Sequence, residues 1–166
     1  MRFKQFSLVT LSTLIVLTAG VTSCSKSGGG SSVNGVTATV GSTGFSPAIS
    51  VAFYTESGAM WEVGGYTIKS GDTTALVVSI PSPVTVNTKM STTNSAIGVE
   101  YYISGSNKDY LAGPGWGSAT LTVTSLDTTG HKIAGNFTGT LYNAMNSNDS
   151  IKVTNGQFNT SYLLEP

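Results

Sequence analysis

The sequence predicts an all-β domain, either an antiparallel β-sandwich or a flattened up-and-down barrel of about 8–10 strands. Three observations carry that prediction. Apolar residues alternate with polar ones at period two in run after run, the pattern of half-buried strands. Turn-forming clusters separate the runs at short intervals, and no stretch beyond residue 24 carries a helix-period stripe of useful length. The composition agrees: 24 Thr and 23 Ser accompany only 10% charged residues, and threonine suits the solvent face of a pleated sheet.

The chain opens with a segment of another kind. Arg2 and Lys4 precede an uncharged, mostly apolar run from Leu8 to Ala19. That run is shorter than the roughly 20 apolar residues a spanning helix needs, and it matches the core of a signal peptide. It ends in Val21-Thr22-Ser23-Cys24, which resembles a bacterial lipobox. In that chemistry the Cys24 thiol takes a diacylglyceryl group, and cleavage before Cys24 frees an α-amine that is acylated in turn. Several acyl chains supply the stable anchoring that one chain does not. A buried free cysteine is the other reading, but the position of Cys24 ahead of the Gly/Ser-rich "SKSGGGSS" argues for lipidation. As the sole cysteine it has no disulfide partner within the chain. Residues 1–23 are thus read as a signal peptide, 24–33 as lipidated cysteine and flexible tether, and 34–166 as a single all-β domain. Ser25, where an aspartate would suggest inner-membrane retention, favours the outer membrane. The absence of an acidic cluster after Cys24 favours its periplasmic face.

The strands follow in order. In "AISVAFYT", Ile49, Val51 and Phe53 are expected to share the core face. "VGGYTI" carries Gly64-Gly65, where a bulge or tight turn is expected to shift the alternation. Leu76, Val78 and Ile80 form the next inward row, and Tyr101 and Tyr102 of "EYYIS" point to opposite faces. "LAGPGWGS" reads as a loop in which Trp116 caps an open end of the core. Ala119, Leu121 and Val123 alternate with Thr120, Thr122 and Thr124, and Ile133, Phe137 and Leu141 repeat the pattern. Ile151 and Val153 open the last part of the chain. There Asn155-Gly156 is either a hairpin turn or a bulge, and a final strand through Tyr162 and Leu164 closes the sheet.

Charge and motif content narrow the function classes. Without Arg2 and Lys4, six basic residues face eight acidic ones, a net −2 that gives no basic footprint for nucleic acid. His131 is the only histidine, follows Thr128-Thr129-Gly130 and reads as an exposed turn residue. No nucleophile-elbow pattern accompanies it, and no multi-histidine metal site can form. The eight carboxylates are scattered, mostly near expected turns. Glu62 and Glu100 alone fall inside expected strands, with solvent-facing side chains. "NAMNSNDS" is rich in oxygen ligands but lacks the spacing of a calcium loop, and polar turn residues account for it. Neither a metal nor a cofactor is expected, and no catalytic residue is assigned. Among the aromatics, Tyr102 and Trp116 are the candidate ligand contacts, against the plainer reading that strands enrich aromatics.

The stretch "GSATLTVTSLDTTGHKIAGNFTGTLYN" and the later "DSIKVTNGQFNTSY" resemble a family of small Bacteroidota lipoproteins filed as a domain of unknown function. The resemblance implies a lipobox, a short tether and strands ending in "I-x-G-x-F" and "V-T-N-G-x-F", with no established activity. It also implies a lineage that O-glycosylates exported proteins at Asp, then Ser or Thr, then an apolar residue or Thr. Three of the four aspartates open such a triplet, with acceptors Thr73, Thr128 and Ser150, where composition alone predicts about half a match. Asp-Ser/Thr is also common at turns that lead into strands. The leading expectation is a lipid-anchored, non-enzymatic envelope protein whose β-domain binds a partner or serves an assembly. The alternative is a carrier of a small apolar or glycan ligand inside a barrel or open sandwich.

Overall fold

The computed structural model describes residues 34–106 and 108–165. The expected signal peptide, Cys24 and the expected tether lie outside the described residues. The domain is all-β, with eleven strands rather than the expected 8–10: β1 (Gly35–Val40), β2 (Thr43–Phe45), β3 (Ile49–Thr55), β4 (Met60–Lys69), β5 (Asp72–Pro81), β6 (Lys89–Ser91), β7 (Gly98–Ile103), β8 (Lys108–Ala112), β9 (Ser118–Asp127), β10 (Lys132–Asn143) and β11 (Asn146–Glu165). The surplus comes from β2 and β6, three residues each, too short to show an alternation in sequence. Both lie at the outer edges of the sheet, where short strands limit edge-to-edge pairing.

All strands belong to one sheet in the order β2-β1-β11-β3-β4-β5-β7-β8-β10-β9-β6, and β10 also pairs β11. That extra pairing closes a ring through β11, β3, β4, β5, β7, β8 and β10. Two long strands make the closure possible. Along one edge β11 serves β1 through Asn159 and then β3 from Tyr162, the latter pairing parallel. Along one edge β10 serves β9 through Thr140 and then β8 at Tyr142 and Asn143.

The core is one cluster inside the sheet. Leu76, Val78, Ile80, Leu121, Val123, Ile133, Phe137, Leu141 and Val153 are buried as the alternation predicts. In β3 the faces are reversed: Ala52 is buried and Ile49 is 47% exposed, so Ile49, Val51 and Phe53 lie on the outer face. The register against β4 decides this, because Ala52 pairs Val63 while Val51 pairs Gly64 and Phe53 pairs Glu62. A strand with apolar residues in both phases does not declare its inner face; its neighbours set it.

Gly64-Gly65 carries no bulge, and β4 runs in unbroken register with β3 and β5. The glycines are instead close approaches. A Cβ on Gly64 would stand 2.6 Å from the Tyr66 hydroxyl, and one on Gly65 would stand 2.6 Å from Pro47 Cγ. At Asn155 the bulge replaces the hairpin. Asn155 has φ +52°, and both neighbours of β11 shift register beside it. The shift places Gly156 and Phe158 in phase with the buried side of Val153.

Candidate functional site

The outer side of β3, β4, β5, β7 and β8 carries the least ordinary surface of the domain. A solvent face of an antiparallel sheet normally reads polar. Here cross-strand register aligns Val51, Gly64, Val77, Glu100, Leu111 and Tyr142 in one row. A second row holds Ile49, Tyr66, Ala75, Tyr102 and Asp109, and a third runs from Leu163 through Phe53, Glu62 and Ser79 to Gly98. Ile49 and Leu163 are 47% and 65% exposed, and Ile68, also on this side, is 60% exposed. Tyr66 lies over Gly64, an aromatic covering a glycine gap on the pleated surface.

Three carboxylates, Glu62, Glu100 and Asp109, are set into these apolar rows. Burial among neighbouring side chains pushes the Glu100 carboxyl above its ordinary range, and the charges of Asp109 and Glu62 push it further the same way. Burial also raises Asp109, whose Oδ1 has no hydrogen-bond partner among the described residues. The Tyr66 hydroxyl is raised by burial first, then by Glu62 and Glu100. Alternation places Lys108 on the opposite side of β8, where its Nζ donates to the Tyr110 hydroxyl at 3.2 Å and lies 3.6 Å from Asp149. No Lys, Arg or His therefore projects from the outer side of these five strands.

The two aromatic candidates lie in different rows of this surface. Tyr102 is in the second row. Trp116, 39% exposed, sets its ring edge-on to Tyr142 at 6.4 Å and donates its indole N–H to the Tyr142 carbonyl at 3.3 Å. Trp116 therefore extends the first row and does not cap the core. The core tryptophan is Trp61, packed with Tyr54 at 4.4 Å and edge-on to Tyr162 at 6.5 Å. His131 stacks on the other side of that cluster, 5.3 Å from the Tyr162 ring, in an exposed turn with φ +49°.

The triplet residues are not gathered. Thr73 sits near the start of β5, where its N–H donates to Ser104 Oγ at 2.7 Å. Thr128 is in the β9–β10 turn, whose Asp127 accepts the N–H groups of Thr129 and Gly130 at 3.0 and 2.8 Å. Ser150 is exposed on β11 beside Asp149, which accepts from the Tyr110 hydroxyl at 3.0 Å and from Asn143 Nδ2 at 3.1 Å. Each aspartate is thus at or beside a turn. In "NAMNSNDS", Asn143 and Asn146 spend their oxygens on the N–H groups of Met145 and Asn148. Among the described residues no group of three or more His, Cys, Asp or Glu is placed to hold a metal ion.

The expectation that Glu62 and Glu100 alone fall inside strands is corrected: Asp72, Asp127, Asp149 and Glu165 stand towards strand ends, and Asp109 lies within β8. Its phase in "KDYLA" matches an outward position, yet only the pairing of β7 with β8 brings it beside Glu100.

A family model described as a domain of unknown function, DUF5025, matches residues 62–161, more than half of the chain. The chain belongs to the DUF5025 family. The DUF5025 match runs from β4 into β11 and takes in all three outer-face carboxylates with Tyr66, Tyr102 and Trp116. No curated protein and no solved structure matches the chain.

Proposed function

We propose that this DUF5025 protein is a lipid-anchored, non-enzymatic envelope module that docks a partner protein through the outer side of β3–β5, β7 and β8. The observation that carries the reading is that face: apolar or aromatic residues on the outer side of each of five strands, interrupted by three carboxylates, beside a core already closed by its own side chains. Contiguous exposed apolar surface marks interaction sites. Carriage of a small ligand would need interior space, and side chains of near-zero exposure occupy the inside of the ring. The two depressions that stand out, of about 280 and 300 Å³, both open on the surface and away from this face. One is at the fork of β1, β3 and β11 and the other over β9–β11.

Anchoring rests on the lipobox-like Val21–Cys24, with the outer membrane's periplasmic face as the proposed address. The Bacteroidota lineage and glycosylation at Thr73, Thr128 or Ser150 belong to the same proposal. A photo-crosslinker at Val77 on the outer face, and at Thr122 on the opposite side, tests the docking in the protein's own cells. A discrete adduct from position 77 and none from 122 is expected. Equal labelling from both positions overturns the docking face. Retention of a small molecule by the released protein in native mass spectrometry would favour carriage instead.

A further inference from the structure

We infer that the partner of this face presents a cationic side chain, lysine or arginine, within an apolar patch, and that Glu100 and Asp109 receive it. The inference rests on the docking face proposed above and names the chemistry of what binds there.

Three observations lead to it. The face is one-signed, with Glu62, Glu100 and Asp109 on its outer side and no cation. Register makes Glu100 and Asp109 diagonal neighbours on adjacent strands, since Glu100 pairs Leu111 and Tyr102 pairs Asp109. Like charges so placed oppose each other. Both carboxyls are also half-buried in apolar surroundings, and the orphaned Asp109 Oδ1 has lost water without gaining a donor. An unpaired carboxylate withdrawn from water costs stability in the free chain. A guanidinium or ammonium over the two would compensate their charge and relieve the repulsion.

The form of the face selects a protein over a small cation. Five strands at about 4.8 Å spacing, with β4 running from Met60 to Ile68, span roughly 20 by 27 Å, about 500 Å². That is of the order of the ~800 Å² each partner contributes to a standard interface. Small-molecule sites are concave, whereas both depressions lie elsewhere. The surrounding Tyr66, Tyr102, Val77 and Leu111 fit the apolar flanks of a buried arginine or lysine anchor, the commonest charged anchors being arginines.

The test is selection of a displayed random 12-residue peptide library on the immobilised full chain, with Val77→Arg/Leu111→Arg as the counter-selection bait. Enriched peptides are expected to share a basic residue flanked by apolar ones. Their binding should weaken about tenfold in Glu100→Gln/Asp109→Asn, which keeps the shape of the face, and weaken with added salt. Apolar peptides without a basic residue, bound equally by the Gln/Asn variant, would overturn the cationic partner and leave the docking face standing. Enrichment that does not discriminate the wild-type chain from the counter-selection bait, or no enrichment at all, would overturn both. Thermal melting of each variant separates loss of binding from loss of fold, and Glu62→Gln is a second charge variant should one fail to fold.

Discussion

Phe137 of β10 lies across Gly156 of β11, so that a Cβ on Gly156 would stand 2.7 Å from Cδ2 and Cε2 of its ring. The relation is reciprocal two pairs along, where the Phe158 ring covers Gly135. The two rings pack at 6.3 Å in the core. The "I-x-G-x-F" and "V-T-N-G-x-F" texture is therefore a packing device. Each phenylalanine lies over the glycine of the opposite strand, and the bulge at Asn155 puts both in phase.

Gly156→Ala is accordingly expected to destabilise the domain by about 1–3 kcal/mol, the range for overpacking a close-packed core. Gly44→Ala, whose added Cβ meets nothing within 4 Å, should stay within about 0.5 kcal/mol of wild type. Urea unfolding of both variants checks the contrast.

Glu100 and Asp109 make stability fall as pH rises. Both carboxyls are raised in the folded chain, so the folded state holds protons that the unfolded state has released. The penalty is absent below the unfolded values, builds as pH climbs through them and is complete above the folded ones. Glu100→Gln and Asp109→Asn should each stabilise the domain at pH 7, by about 1 kcal/mol or less, and should lose that advantage at pH 3. Melting temperatures across that range decide it.

Asp149 has the opposite sign. Hydrogen bonds from Asn143 and then Tyr110 hold its carboxyl below the ordinary range, and Lys108 adds to them. Its contribution is present above the unfolded value and is lost as pH falls through the folded one. Tyr110→Phe keeps the buried ring but removes one donor. The variant should unfold at a lower temperature than wild type at pH 7, and the gap should narrow on acidification below the carboxylate range.

Asn155 holds a left-handed backbone that asparagine and glycine tolerate and β-branched residues do not. Asn155→Gly should be nearly neutral, while Asn155→Val should cost about 1–2 kcal/mol. Denaturant midpoints compare the two.

The sequence by itself determined the all-β class and most of the inward rows, because period-two alternation in β5, β9 and β10 is a local consequence of the pleat. It also set Tyr101 and Tyr102 on opposite faces and marked Asn155-Gly156 as a turn or bulge. Tertiary structure alone decided which side of β3 faces in, since Ile49, Val51 and Phe53 are as apolar as any core row and only pairing with β4 turns them out. It alone joined β10 to β11 into a ring and set Glu100 beside Asp109, and through Tyr142 it carried Trp116 onto the same face. Those relations come from register between strands distant in sequence, and a one-residue slip in any pairing would send the side chains to the opposite face.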